Sequence, residues 1–283
     1  MKKILFFETP DFTGATRVTR TIAKTLRDKY EVVFATVDPC SYTLVEIIEE
    51  EIKKNNPQIL FSSFVSLNPD VIAAGKKFGI TIVIRTDYKF SDISIELKRR
   101  MEGTYPLADY LIAQTEEMGF ELKQIRGVKP ERVCVLENPL DEEEILQKAS
   151  EPNPFPENGN FHFLWVGRRT PIKDVETLKR AFNIVHEEYP NTDLTLISED
   201  PNPFRWMKYA DCLVISSISE ASPNVLREAL FLGTDVISTD CSTVIKKVLP
   251  SNKVCPIRDV HTLARLMCDV VNSKVCDKFS LRS

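Results

Sequence analysis

The chain has 283 residues, 43% of them apolar and 28% charged, with a formal net charge of −4. That length suits two ordinary domains, each able to bury its own core, and that charge gives no reason to expect a nucleic-acid partner. No apolar run reaches the roughly 18–20 residues needed to span a bilayer. The opening MKKILFFETPDF carries too short an apolar run for a signal peptide and reads as a buried first strand. The seven cysteines are scattered, odd in number and without a C-x-x-C pair. They fit a reducing, cytoplasmic setting as small apolar residues. His162, His186 and His261 stand at no ligand spacing from a cysteine, and no D-x-D triplet occurs, so neither a metal nor a cofactor is expected.

Strands and helices alternate from the start, which argues for parallel sheets and an α/β fold. Residues 3–7 read as a strand, 11–17 as a loop and 18–29 as a helix. Gly14 in that loop would let a sugar or phosphate approach the backbone closely, although a turn glycine without a ligand is the ordinary case. Arg17, Arg20, Lys24 and Arg27 recur at helical spacing. Such a stripe suits a solvated face, or a peripheral contact with anionic lipid at the inner face of a membrane. Strands at 31–36, 58–62, 80–85, 110–113 and 132–136 then alternate with helices at 44–54, 69–78, 92–102 and 116–126. Residues 149–160, ASEPNPFPENGN, hold three prolines and no apolar period. They read as a linker between domains at 1–150 and 151–283.

The second half restarts with a strand at 161–166, which Gly167 ends. Arg168 and Lys173 stand five apart around a turn containing Pro171. Two cations at a strand end can clamp a diphosphate, Arg as a fork and Lys as a point charge; two surface cations on a loop are the plain alternative. Further on, a strand at 213–215 leads to a loop holding Glu220. A helix opens at Pro223 or Asn224, runs to about residue 232 and stops at Gly233, and a strand follows at 235–238. Glu220 lies ahead of that helix and Glu228 a little over one turn inside it. Both can then face one cleft at the carboxyl end of the strand, where open α/β sheets bind ligands. Unpaired amides of Asn224, Val225 and Leu226 at the helix start would attract phosphate. Two acids beside an anion-binding helix end suit a ligand with hydroxyls and phosphate, such as a sugar nucleotide. A nicotinamide-dependent dehydrogenase would need the G-x-G-x-x-G fingerprint, which is missing.

The run SEASPNVLREALFLGTDVISTDC, residues 219–241, resembles the signature of glycosyltransferase family 4, retaining transferases of the GT-B fold. That signature places a Glu, seven residues, a second Glu followed by Ala, then a Gly and an apolar strand. Gly167-Arg168 with Lys173 resembles the family's second motif, and Thr13-Gly14-Ala15-Thr16-Arg17 its Gly-Gly-x-x-Arg loop, with Thr13 replacing the first Gly. Asn138-Pro139-Leu140-Asp141 and Lys208-Tyr209-Ala210-Asp211 resemble two further family turns. The resemblance implies two Rossmann-like domains with parallel sheets facing a central cleft, the first for the acceptor and the second for the donor. It implies a retaining, metal-independent transfer from a UDP- or GDP-sugar to a glycan or lipid-linked acceptor, as in polysaccharide biosynthesis. By the same resemblance Glu220, Arg168 and Lys173 are the catalytic residues, and Glu228, Asn224, Val225, Gly14, Arg17 and Asn138 contact substrate. The sequence departs from the family at Thr86, where a His is common, in the short segment 194–211, and where it stops at FSLRS. These departures support a second reading, a catalytically inactive, nucleotide-binding GT-B partner subunit.

Overall fold

The computed structural model describes residues 1–11 and 13–280. The chain divides into two compact units, Met1–Pro139 and the part that begins at Leu140. In the first unit the elements are β1 (Lys2–Glu8), α1 (Gly14–Leu26), β2 (Tyr30–Thr36), α2 (Leu44–Asn55), β3 (Ile59–Ser62), α3 (Asn68–Phe78) and β4 (Thr81–Arg85). They continue through α4 (Ile95–Thr104), β5 (Tyr110–Ala113), α5 (Glu116–Gln124) and β6 (Val133–Val135). Every strand pair is parallel, in the order β2-β1-β3-β4-β5-β6. The expected α/β alternation is the one formed. Strands covered on both faces need apolar residues at successive positions, and Leu5, Phe6 and Phe7 are all fully buried.

One local detail differs from the sequence reading, and a second shows how tightly the layers pack. Helix α1 starts at Gly14, four residues earlier than expected, because Thr13 and Thr16 form a reciprocal capping box. Gly14 is therefore the first helical residue and not a loop centre. Helix α3 packs so close to the sheet that a Cβ on Gly75 would fall 2.7 Å from Ile82 Cγ1 and 2.9 Å from Leu60 Cδ1.

The second unit runs α6 (Glu142–Ala149), β7 (Phe161–Val166), α7 (Val175–Glu188), β8 (Thr192–Ile197), α8 (Pro203–Tyr209) and β9 (Cys212–Ile215). It continues with α9 (Asn224–Phe231), β10 (Asp235–Thr239), α10 (Thr243–Val248), β11 (Val254–Cys255) and α11 (Val260–Ser280). Its parallel sheet has the order β11-β10-β9-β7-β8. Alternating side chains feed two cores. Phe163, Trp165, Cys212 and Val214 meet Leu178, Val185, Leu263 and Met267 of α7 and α11. Leu164, Leu213, Ile215 and Val236 meet Ile145, Phe204, Met207, Leu226 and Ala229 of α6, α8 and α9. Each such leucine stabilises the fold by about 1.5–3 kcal/mol relative to an exposed one.

The division at residues 139 and 140 falls earlier than the boundary at 150 expected from the prolines. Helix α6 belongs to the second unit: Asp141 caps it by accepting the Glu144 amide, and Ile145 and Ala149 are buried in that unit's core. The proline-rich run is held there as well. Phe155 stacks on His162 with ring centroids 4.5 Å apart and meets the Trp206 ring edge-on at 5.1 Å. One aromatic among the prolines is enough, because its buried area outweighs the freedom of a short tether.

Helix α8 occupies the short segment after β8, tied down by Asp200. Burial alone would raise the Asp200 carboxyl, but hydrogen bonds from the Trp206 indole, the Asn202 amide and Arg205 outweigh it and hold the group below its usual range.

Two outcomes are expected. Gly75→Ala destabilises the first unit by a net 1–2 kcal/mol or about that in denaturant melts, since overpacking against Ile82 and Leu60 exceeds the gain in helix propensity. Asp200→Asn costs about 1 kcal/mol at pH 7 once solvent screening is allowed for. A depressed carboxyl stabilises above its unfolded pKa and stops doing so as pH falls through the folded one. The Tm gap between wild type and variant should therefore persist at about pH 5 and close only below about pH 4.

Candidate functional site

In a parallel sheet every strand-to-helix loop leaves the same edge, so strand order decides which loops become neighbours. The chain goes from β7 outward to β8 and then returns to β9 on the opposite side of β7. The crevice between β7 and β9 is thus the point where the winding reverses, and the loops after those two strands line it.

The loop after β7 starts at Gly167, whose amide bonds to the Ile197 carbonyl at 3.0 Å. A Cβ on Gly167 would touch the Trp165 ring at 3.4 Å and Lys173 Cδ at 3.9 Å, so the lysine stem lies along this glycine. Pro171–Lys173 form a 3-10 turn. Asp174 follows with φ 44° and caps α7, its carboxylate accepting from the Thr177 hydroxyl at 2.7 Å. The loop after β9 is sewn to this turn at two points. The Ile218 amide donates to the Ile172 carbonyl at 2.8 Å, and the Ser216 hydroxyl donates to the Lys173 carbonyl at 2.8 Å.

This stitching brings Lys173 Nζ to 2.5 Å from Glu220 Oε1, with the two side chains 23% and 13% exposed. The same oxygen accepts from the Ser217 hydroxyl at 2.7 Å. The Glu220 amide donates to the Cys241 carbonyl at 2.9 Å, which anchors the loop to the end of β10 as well. At Cys241, burial first and the Glu220 charge second push the thiol up to about 11, against a smaller pull from Lys173.

Helix α9 follows, with Leu226 and Ala229 fully buried against the sheet. Glu228 is carried in with them and is 4% exposed. Gly233, at φ 77°, ends the helix as expected. At the helix start no side chain caps α9, but the Leu226 amide donates to the Pro223 carbonyl at 3.2 Å. The expectation of three unpaired amides there is corrected at Leu226. Asn224 and Val225 open the helix beside it, both partly buried. Arg168 is exposed on the β7 loop, and Arg169 donates to the Ser198 hydroxyl at 3.0 Å.

The structure thus brings Lys173 and Glu220 together with Ser216, Ser217, Thr239 and Cys241. Sequence reasoning passed over Ser216 and Ser217. The available signal was a pair of hydroxyl residues immediately beyond a fully apolar strand.

Gly14, Arg17 and Asn138 lie in the first unit. Gly14 and Arg17 are in the first turn of α1, Arg17 donating its amide to the Thr13 carbonyl at 3.0 Å. Arg20, Lys24 and Arg27 are exposed, and Arg20 also forks onto the Glu8 carboxylate at 2.9 and 3.2 Å. Asn138 is buried, accepting from the Arg85 guanidinium and donating to Gln114 Oε1 at 3.1 Å. Burial lowers Arg85 to about 10, opposed by the charge of Asp87. Thr86 is buried, its hydroxyl 3.5 Å from the Ile112 carbonyl, and Asp87 accepts the Val65 amide at 3.0 Å. Among the described residues no three His, Cys, Asp or Glu side chains gather where a metal could bind. No helix of the described residues is long and apolar enough to cross a membrane.

No family model matches the chain. An uncharacterised glycosyltransferase of Methanocaldococcus jannaschii is 29% identical over 176 residues, a match that spans 51% of this chain and 43% of that protein. Among solved structures, HepE of Anabaena in complex with UDP-glucose aligns with a TM-score of 0.78 at 14% identity, covering 97% of this chain and 91% of that one. Sucrose-phosphate synthase of Thermosynechococcus elongatus aligns with a TM-score of 0.74 at 13% identity, covering 96% and 90%. By sequence and by fold, the proteins this chain is similar to are glycosyltransferases, and its fold is the GT-B type with two parallel α/β units.

Proposed function

We propose that the chain is a retaining, metal-independent glycosyltransferase of the family 4 type, moving a sugar from a UDP- or GDP-sugar to a glycan or lipid-linked acceptor. One observation carries the reading. Lys173 and Glu220, a cation suited to phosphate and an acid suited to sugar hydroxyls, meet at the winding reversal of the second sheet. The relatives add support, since the Anabaena protein was solved with UDP-glucose bound.

In this reading the second unit holds the donor. Negative charge grows on the leaving diphosphate as the glycosidic bond breaks. Arg168, Lys173 and the start of α9 at Asn224 and Val225 stabilise it, which is usually the largest catalytic contribution. Glu220 accepts hydrogen bonds from the donor sugar, and Glu228 from the ribose. Breaking the bond leaves an oxocarbenium-like centre that the acceptor hydroxyl attacks from the same face, and the departing phosphate takes the acceptor's proton. No separate base is then required, which suits Thr86 at the position where family members carry a His. The first unit holds the acceptor, with Gly14, Arg17 and Asn138 as its contacts, and the protein works in the cytoplasm at the inner face of a membrane in polysaccharide assembly. The charge balance of a metal-bridged diphosphate is supplied instead by Arg168 and Lys173, as no D-x-D triplet is present.

A second reading, an inactive GT-B partner subunit, is favoured by α8. That helix spends Phe204 and Met207 on the core in the segment that, by the family resemblance, helps to wall the base.

Thermal stabilisation by UDP, GDP and NAD separates the two. A ligand at about 100 times its Kd raises stability by roughly 2.7 kcal/mol. The expected result is a shift with UDP or GDP, none with NAD, and loss of the shift in an Arg168→Ala, Lys173→Ala variant. Donor hydrolysis without acceptor then distinguishes an active enzyme from a subunit that only binds. No shift with either nucleotide overturns the donor site.

A further inference from the structure

Glu220 is held asymmetrically. Oε1 accepts from both Lys173 Nζ at 2.5 Å and the Ser217 hydroxyl at 2.7 Å, whereas Oε2 takes no hydrogen bond from any described residue. Ser217 is itself fixed. It is buried, its carbonyl accepts the Thr239 hydroxyl at 2.5 Å, and the preceding Ser216 is bonded to the Lys173 carbonyl at 2.8 Å. A hydroxyl anchored in this way can point in few directions, and its bond to a carboxylate is of the strong, charge-assisted kind.

We propose that Ser217 is a positioning residue for the donor sugar: with Lys173 it pins Oε1 of Glu220 and so presents Oε2 to a sugar hydroxyl. The inference rests on the donor-site reading given above and adds the residue that sets the orientation of Glu220. Pinning one oxygen by two donors fixes the carboxylate plane, because rotation about the last side-chain bond would break both contacts. A terminal carboxylate torsion is otherwise broad. An acid free to rotate would lose part of its interaction with the sugar to orientation. Lys173 also gains, since an ammonium has three donors and spends one on Oε1, leaving two for phosphate oxygens.

The assignment separates two parts of donor binding. Nucleotide diphosphate contacts do not pass through Oε2, but sugar contacts do. Ser217→Ala should therefore leave the Kd for UDP within about twofold of wild type and weaken UDP-glucose about tenfold. If GDP is the nucleotide that stabilises the wild type, GDP and GDP-glucose replace them. Ser217→Thr, which keeps the hydroxyl, should recover most of the loss. A ligand-free measurement runs alongside: the coupling of Lys173→Met with Glu220→Gln in a double-mutant cycle should be about tenfold in the unfolding equilibrium, and should shrink to threefold or less in a Ser217→Ala background.

Equal losses on UDP and UDP-glucose would mark Ser217 as merely structural and overturn the proposal. So would an unchanged Lys173–Glu220 coupling without Ser217. A wild type that binds neither nucleotide fails differently, since that result removes the donor-site reading itself and this inference with it.

Discussion

A single oxygen of Glu220 accepts from Lys173 and from Ser217, so the loop after β7 and the loop after β9 converge on one acceptor. The meeting depends on strand order. In a parallel sheet, the loops of β7 and β9 are neighbours only because β8 has been placed at the outer edge. Had β8 been inserted between them, the two side chains would be separated by about two strand spacings, close to 10 Å. The ion pair is therefore a consequence of topology. Four further bonds, from Ile218, Ser216, Glu220 and Thr239, keep it from drifting.

The rigidity has a source in the two cores. Every strand of the second sheet that borders the crevice is buried on both faces, β7 and β9 by aromatic and aliphatic side chains from opposite sides. Interiors at native density yield little to local stress. Helix α9 inherits that stiffness through Leu226 and Ala229 and carries Glu228 at a fixed depth. A site built on such elements needs little reorganisation when charge develops on a ligand, which is what electrostatic stabilisation of a leaving group requires.

The first unit has a different character at the carboxyl ends of its strands. Instead of a part-exposed ion pair, a buried network runs from Arg85 through Asn138 to Gln114 and on to the Thr86 carbonyl at 2.8 Å. The buried guanidinium is met there by the Asn138 amide oxygen and the charge of Asp87, although desolvation still lowers its affinity for the proton. At the end of β1 the buried Glu8 carboxylate pairs with Arg20, whose side chain stays exposed. Both use side chains that read from sequence as surface charge or as a turn.

Alternation of apolar runs with helical periods was enough to establish the α/β class, the parallel sheets and most element positions, since burial on two faces demands uninterrupted apolar strands. Gly233 and the Glu220 to Glu228 spacing were equally plain, because a helix stop and a helix phase are local properties. Local signals failed where long-range packing won. Phe155 drew a proline-rich run into a core, and a helix that the sequence reading did not expect follows the cap at Asp141, its Ile145 and Ala149 buried in that core. Thr13 and Thr16 moved a helix start back to Gly14, although a capping box is itself a local feature that the sequence displays. Nothing in the order of residues joins Lys173 to Glu220, 47 positions apart, or aims Ser217 at their shared oxygen. Those contacts arise from the sequence in which strands take their places in the sheet, and that order is decided by the packing of the whole unit.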